Sequence, residues 1–480
     1  MLRPLAAVLL SLTLLGTASP GLAAGFDYVA RLADSGFRIS AKAQLLDSGA
    51  VLGAIDPLRQ LSPASVSKLY IAAAALDRWG PQYRFTTRLV STGELNAQGV
   101  LKGDLVFEGG GDPALTSEDL WRLIQRLRLQ GVSAVDGQLV ISQWRFGPVK
   151  CRSTDRCQTR TRTDNAYSAL LSSAAVNYAN WCLDVLPGGR PGDEARILSC
   201  DTVEPTTRID NNVTTVARGG DTRLAAERIT DARGDLLAIR GQIALHSDPQ
   251  AVYLASSDPA RQTAQTLLAM LERAGITVSG GSATSHTRPP DNARQLAAVD
   301  GKPLQELLTR TLNYSNNFMA DTLSLALADT PRAGLVEGGE AIESFVEGVP
   351  GHGPINLLSG SGLTTENRTS AQGVNALLEA MYQRPALFPT FVAGLQLPEN
   401  GPMRFIRRGD PLFQSRVMLK TGTLNQPYSV RSIGGYFRTL EGRWGSFSVL
   451  VNGTSQTPYL PWSQVLDPLS KDLAAMIRAY

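Results

Sequence analysis

Ser65, Ser67 and Lys68 stand together in "LSPASVSKLY" (61–70), where an apolar run begins. A serine three residues before a lysine shares a helix face with it, so Lys68 can take the Ser65 proton and leave a nucleophilic alkoxide. Ser67 lies off that face and reads as structural. At its ordinary pKa a lysine is a poor base, and such a site needs burial or a second cation to favour the free amine. Ser-x-x-Lys arises often by chance, but of the chain's seven lysines only Lys68 has a serine at that spacing. Lys420 opens "LKTGT" on a predicted strand and can supply the second cation. In "YSNN" (314–317), Ser315 and Asn317 can present a hydroxyl and an amide to one site.

The elements that would position these groups can be read from pattern. Pro63 and the stop "WGPQ" bound a predicted helix over 65–78. Short β-like runs follow over 84–108, simplest as a hairpin turning at 96–99. "GGGDPAL" (109–115) breaks the strand; no Gly-Lys-Ser/Thr follows, so it reads as a tight turn rather than a phosphate loop. Ser117 is the expected cap of the next helix, and "GQLVISQW" the next strand. Residues 150–250, rich in Arg, Thr, Asp and Gly, read as a small disulfide-tied β module. The stretch 258–280 is an amphipathic helix running into a strand, and "PLQELLTRTLNYSNNFMADTLSLAL" is strongly helical. From Arg416 onward "RVMLKTGTLN", "YSVRSIGGYFR" and "WGSFSVLVNG" are successive strands of an antiparallel sheet carrying helices. "PLSKDLAAMIRAY" is a final helix whose apolar face can meet a membrane surface or the sheet, and the sheet is the preferred reading.

At 480 residues the chain should hold about three domains. A net charge of +3 without a Lys/Arg block argues against nucleic acid as partner. Residues 1–24 read as a secretory signal: Arg3, an apolar stretch over 5–15, then small residues suited to cleavage after Ala23 or Ala24. No later run reaches the roughly 18 apolar residues of a membrane span. Export makes disulfides available to Cys151, Cys157, Cys182 and Cys200; three pairings are open, and proximity favours 151 with 157 and 182 with 200. Their spacing does not suit zinc. His246, His286 and His352 lie in polar segments and read as solvated; Arg431, near the third motif on a strand, either meets an acidic peptide group or is exposed, exposure being the default; Asp112 either shapes a substrate pocket or turns the chain before Pro113.

Taken in order, Ser-x-x-Lys, Ser-x-Asn and Lys-Thr-Gly are the motif set of penicillin-binding proteins and class A β-lactamases. With 250 residues from Ser65 to Ser315, 105 from Ser315 to Lys420, "GGGDPAL" after the first motif and "SGSGLTTENRTS" (359–370) between the last two, the chain resembles the D-Ala-D-Ala carboxypeptidase/endopeptidase family of low-molecular-mass class C penicillin-binding proteins. It departs from that pattern at Asn316 and Ser359, where aspartate is common. The resemblance implies an α+β fold: a β-lactamase/transpeptidase-like catalytic domain (25–88 and 291–480), an inserted β-rich domain (89–165 and 251–290) and a second nested within it (166–250). It implies that Ser65 attacks the carbonyl between two D-alanines of a peptidoglycan peptide, Lys68 accepts the Ser65 proton, and Ser315 relays a proton to the leaving amine. Asn317 would bind the peptide backbone, and Lys420, Thr421 and Thr423 of the Lys420-Thr421-Gly422-Thr423 segment the terminal carboxylate, with backbone N–H groups of Ser65 and Thr423 forming the oxyanion hole. β-Lactams would acylate Ser65; no metal or organic cofactor is called for, and the location would be periplasmic. A β-lactamase uses the same motifs without the inserted 200 residues, and a non-enzymatic wall-binding protein would not need them intact.

Overall fold

The computed structural model describes residues 25–201 and 205–480; the expected signal segment lies outside them. A five-stranded antiparallel sheet forms the base of the catalytic region, in the order Val417–Leu424, Val430–Arg438, Trp444–Asn452, Arg38–Leu45, Val51–Ile55. The three C-terminal strands were expected. The N-terminal hairpin that completes the sheet was not, because its pairing partner, Trp444–Asn452, lies some 400 residues away in sequence. Both faces are covered, which explains why Trp444–Asn452 is buried along almost its whole length instead of alternating.

On one face the terminal helix Ser463–Ala479 buries Leu466, Leu469, Leu473 and Ile477 among Ile39, Phe437, Phe447 and Val449. Its apolar side is therefore spent on the sheet. Among the described residues no helix is long and apolar enough to cross a membrane. On the other face lies a helical layer that includes Ser67–Trp79, Leu304–Asn313, Asn317–Leu327 and Ala371–Tyr382. Every residue of Ser67–Trp79 from Ser67 to Leu76 is buried, and the run Ala72–Ala75 lets neighbouring helices approach closely.

The middle of the chain builds separate apolar cores. Strands Thr86–Ser91, Leu105–Glu108, Leu139–Ser142, Ser282–Ser285 and Arg294–Asp300 form one sheet, against which Ser117–Leu129 and Pro259–Arg273 pack. The expected hairpin exists as Glu94–Leu95 with Val100–Lys102, but the strands flanking it belong to this neighbouring sheet. Thr116, not Ser117, caps the helix: its backbone N–H and hydroxyl both engage Asp119, the reciprocal arrangement that satisfies a helix start. Beyond it, a three-stranded sheet around Asn180–Leu186 and a four-stranded sheet around Gly234–Ala244 enclose Trp181, Val213, Leu237 and Ile239. The cysteines pair as Cys151–Cys157 and Cys182–Cys200, which settles the three open pairings.

Candidate active site

Ser65 sits in a tight turn, Ala64–Val66, just ahead of the helix Ser67–Trp79. Ala64 has φ of +44°, a left-handed conformation that a non-glycine residue holds only where its surroundings enforce it. They do so here: Asn452 grips Ser62 through both backbone groups, Leu61 bridges to Thr369, and the Val66 N–H donates to the Pro63 carbonyl. A β-carbon on Gly422 would stand 2.6 Å from Pro63 O and 2.9 Å from Ser65 N, so the strand Val417–Leu424 can press on the nucleophile turn only through glycine. Gly422, expected among the substrate-binding residues, lets the strand pack directly against the turn that carries Ser65.

Lys68 lies one turn on, fully buried, its Nζ 2.9 Å from Ser65 Oγ, 2.8 Å from Asn317 Oδ1 and 2.6 Å from the Ser361 carbonyl. Its pKa is pulled down to about 7, first by burial and also by Arg156, against the raising effect of Asp321. As an ammonium Lys68 donates all three bonds; as a free amine it keeps two and accepts the third from the Ser65 hydroxyl. That is the geometry of a general base at neutral pH. Lys420, also fully buried, reaches Ser315 Oγ at 2.9 Å, and burial together with the charge of Lys68 holds its pKa well below the ordinary lysine value. Lys68 and Lys420 disfavour each other's charge, and Arg156 is a further cation lowering Lys68 that the sequence did not point to.

Ser315 has φ of +56° and interrupts what the sequence presents as one helical stretch. Asn316 restarts the helix, its side chain accepting from the Met319 N–H, so asparagine in place of the family's aspartate still caps. This break aims Ser315 at Lys420 and Asn317 at Lys68. Asn317 also donates to the Tyr167 carbonyl at 3.3 Å. Thr421 has its hydroxyl on Gln396 Oε1 at 3.0 Å, and its N–H points to the same oxygen. Val417–Leu424 is the edge strand, its outward N–H groups are those of Leu419, Thr421 and Thr423, and the first two go to Gln396. The N–H of Thr423 faces the cleft.

The cleft, about 1000 Å³, is lined by Ser65, Ser315, Asn317, Thr421 and Thr423, with a facing wall from Arg152, Asp155 and Tyr167. Arg152 and Asp155 belong to the loop closed by Cys151–Cys157, and the Tyr167 hydroxyl donates to Asp155 at 3.0 Å. Sequence reading missed what ties this loop down. Arg156, buried, forms an ion pair of 2.8 Å with Asp321, whose other oxygen accepts from Ser359 Oγ at 2.9 Å and Ser361 N–H at 2.8 Å. Ser359, the second departure from the family pattern, thus serves the carboxylate beneath Lys68. The one available signal was an aspartate inside the apolar run "FMADTLSLAL".

Other expectations divide. Ser67 is buried and accepts from Asn367, a structural place. Asp112 accepts from the Ala114 N–H, the turn reading, and does not line the cleft. His246 and His286 are exposed. His352 is not: it is buried against Tyr70, Nε2 3.0 Å from the phenol oxygen, with its pKa lowered by burial. Arg431 is also buried, donating to the Leu424 and Val430 carbonyls and to Asn425 Oδ1, where it shapes the loop after the third motif.

A serine over a buried lysine whose pKa burial draws down toward neutrality, backed by a second lysine–serine pair on a sheet-and-helix scaffold, defines a serine acyl-transfer enzyme. The chain belongs to the D-Ala-D-Ala carboxypeptidase 3 (S13) family, whose model matches residues 31–467, and it is a serine-type carboxypeptidase of that family. It is 29% identical to a D-alanyl-D-alanine carboxypeptidase of Actinomadura sp. strain R39 over 93% of this chain and 86% of that one. It is 26% identical to D-alanyl-D-alanine carboxypeptidase DacB of Haemophilus influenzae over 82% of this chain and 80% of the relative. The crystal structure of penicillin binding protein 4 (dacB) from Haemophilus influenzae superposes with a TM-score of 0.76 at 21% identity, covering 94% of this chain and 99% of that one.

Proposed function

We propose that the chain is an exported, periplasmic D,D-peptidase that removes the terminal D-alanine of peptidoglycan stem peptides and also cuts D-alanyl cross-links. The observation that carries the reading is Lys68, with pKa about 7, standing 2.9 Å from Ser65 in the floor of the cleft. Ser65 Oγ attacks the carbonyl carbon between the two D-alanines as its proton passes to Lys68. The C–N bond breaks, the departing nitrogen takes a proton through Ser315, and an ester on Ser65 remains for water to hydrolyse. The N–H groups of Ser65 and Thr423, held adjacent by Gly422, stabilise the oxyanion. Lys420 and Thr423 attract the terminal carboxylate, and Asn317 holds the peptide backbone; Thr421 contributes mainly by fixing Gln396 at the strand edge. β-Lactams, as closed analogues of the same peptide, acylate the same oxygen. The division proposed is a catalytic unit (25–88 and 291–480), an inserted unit (89–165 and 251–290) and a nested one (166–250); the apolar cores around Leu123 and Trp181 support the two inserted units, while the strands Gln250–Ala255 and Arg294–Asp300 carry their sheets past these bounds. Residues 1–24 are assigned to the export signal on composition.

The test is peptide-level mass spectrometry after brief exposure to benzylpenicillin, with D-alanine release from a pentapeptide measured alongside. A lasting adduct on Ser65, absent from Ser65→Ala, together with D-alanine release is the expected result. Rapid destruction of the drug without a lasting adduct would instead identify a β-lactamase, and intact pentapeptide and cross-linked dimer would refute the peptidase reading.

A further inference from the structure

A second pocket, of about 410 Å³, shares Tyr167, Ser315 and Asn317 with the reactive cleft but has a different chemistry. Its walls carry Tyr178, Tyr253 and Tyr314, and two of these rings are displayed to solvent: Tyr253 is 54% exposed and Tyr314 63%. Aromatic rings gathered around a concave site offer broad apolar faces for a ligand to lie on.

Asn180 supplies an independent pointer. It is only 7% exposed, lines the pocket, and donates its Nδ2 to the Tyr178 carbonyl at 2.8 Å. That bond fixes which end of the amide is which, and among the described residues the buried Oδ1 has no hydrogen-bond partner. An unpaired buried acceptor on a residue that lines a pocket is satisfied when a small side-chain shift lets an N–H or O–H from a ligand reach it. The chain strains to build this wall: Asn177, Tyr178 and Ala179 carry consecutive φ values of +52°, +59° and +57°. Three non-glycine residues in the left-handed region are costly, and such strain gathers at ligand clamps.

The charge of the pocket selects the ligand. None of its described lining residues is Lys or Arg, Arg310 behind Tyr178 is already paired with Glu306, and Asp201 is among the lining, so a free carboxylate is disfavoured. Stem peptides carry carboxylates. The neutral part of the wall polymer is its saccharide, N-acetylated amino sugars whose C–H faces lie flat on aromatic rings and whose acetamido and hydroxyl groups donate hydrogens. Resting on the peptidoglycan reading above, we propose that this pocket is a saccharide subsite, seating an N-acetylated amino sugar against Tyr253 and Tyr314 with Asn180 Oδ1 accepting one of its N–H or O–H hydrogens.

Saturation-transfer NMR with N,N′-diacetylchitobiose tests the pocket without any peptide chemistry. The acetyl methyl signal should appear with the intact mature protein, and Tyr253→Ala, a change at an exposed ring, should weaken binding by about tenfold. In parallel, the wild type should cleave a disaccharide-pentapeptide with higher kcat/KM than the sugar-free pentapeptide. Tyr253→Ala should erase that advantage and leave the sugar-free rate unchanged. Absence of transfer to chitobiose, transfer that Tyr253→Ala does not diminish, or equal handling of the two peptides would each overturn the proposal. Chitobiose held at Tyr253 by a protein that cleaves neither peptide would leave the subsite standing and remove the peptidase reading.

Discussion

Arg156→Gln should move the acid limb of Ser65 acylation upward in pH. Lys68 donates to the Ser361 carbonyl, the Ser361 N–H donates to Asp321, and Asp321 is neutralised by Arg156, so one residue, Ser361, separates the base from a buried ion pair. Arg156 lowers the Lys68 pKa and Asp321 raises it. The Asp321 effect is already present in the wild-type value, so removing the cation takes away its own lowering effect and favours the ammonium. The loss of a nearby like charge of this kind is worth about 1–2 pKa units. Starting from about 7, the free amine at pH 7 falls from half the population to roughly 1–10%. Acylation by benzylpenicillin at that pH should therefore slow about 5- to 50-fold, and recover toward the wild-type rate above about pH 9. Quenched-flow acylation rates from about pH 5.5 to 10 measure it, with Arg156→Lys, which keeps the charge, expected to leave the limb close to its original place. Glutamine retains a donor for Asp321, and circular dichroism checks that the variant is folded at the assay temperature. A limb that stays near its wild-type position while the rate falls equally at every pH would refute the electrostatic reasoning and reduce Arg156 to a strut.

Gly422→Ala should cut acylation by about 100-fold, because the new β-carbon meets Pro63 O and Ser65 N and must displace the nucleophile turn; the same rate assay reads it, beside a stability loss of roughly 1–3 kcal/mol. Lys68→Met should be inactive and more stable than wild type at neutral pH, by about 1–4 kcal/mol in urea unfolding. The folded pKa of about 7 lies below the ordinary 10.5, so between those values the unfolded chain binds more protons and wild-type stability rises with pH. The methionine variant should lose that rise. Replacing Cys151 and Cys157 by serine frees the loop that carries Arg156, and should shift the acylation limb in the same direction as Arg156→Gln.

The reactive groups were legible because short motifs carry them: a serine and a lysine three residues apart need only a helix to meet, and the strand holding Lys420 is the first of three successive β-like runs. What escaped depends on distance along the chain. The hairpin Arg38–Leu45 with Val51–Ile55 has its partner at the other end of the sequence. The break at Ser315 is invisible in a stretch whose apolar period runs on across it, since a positive φ at serine leaves no compositional trace. His352 and Arg431 sit among polar residues, and only the folded chain shows that other elements cover them.

The same distinction separates the motif from its activity. Ser-x-x-Lys places an amine beside a hydroxyl, but an amine at the ordinary lysine pKa would hold its proton at neutral pH and activate nothing. The change that makes Lys68 a base comes from elsewhere: complete burial under the Ser361 loop, and the sign of the charges beyond it. One of those charges, Arg156, is delivered by a disulfide-closed loop that also forms the facing wall of the cleft. The inserted region is thus joined to the chemistry twice, once through the surface it offers substrate and once through the protonation of the base. A change in that loop that left every motif intact would still alter the rate, and it would do so most at low pH, where the free amine is scarce.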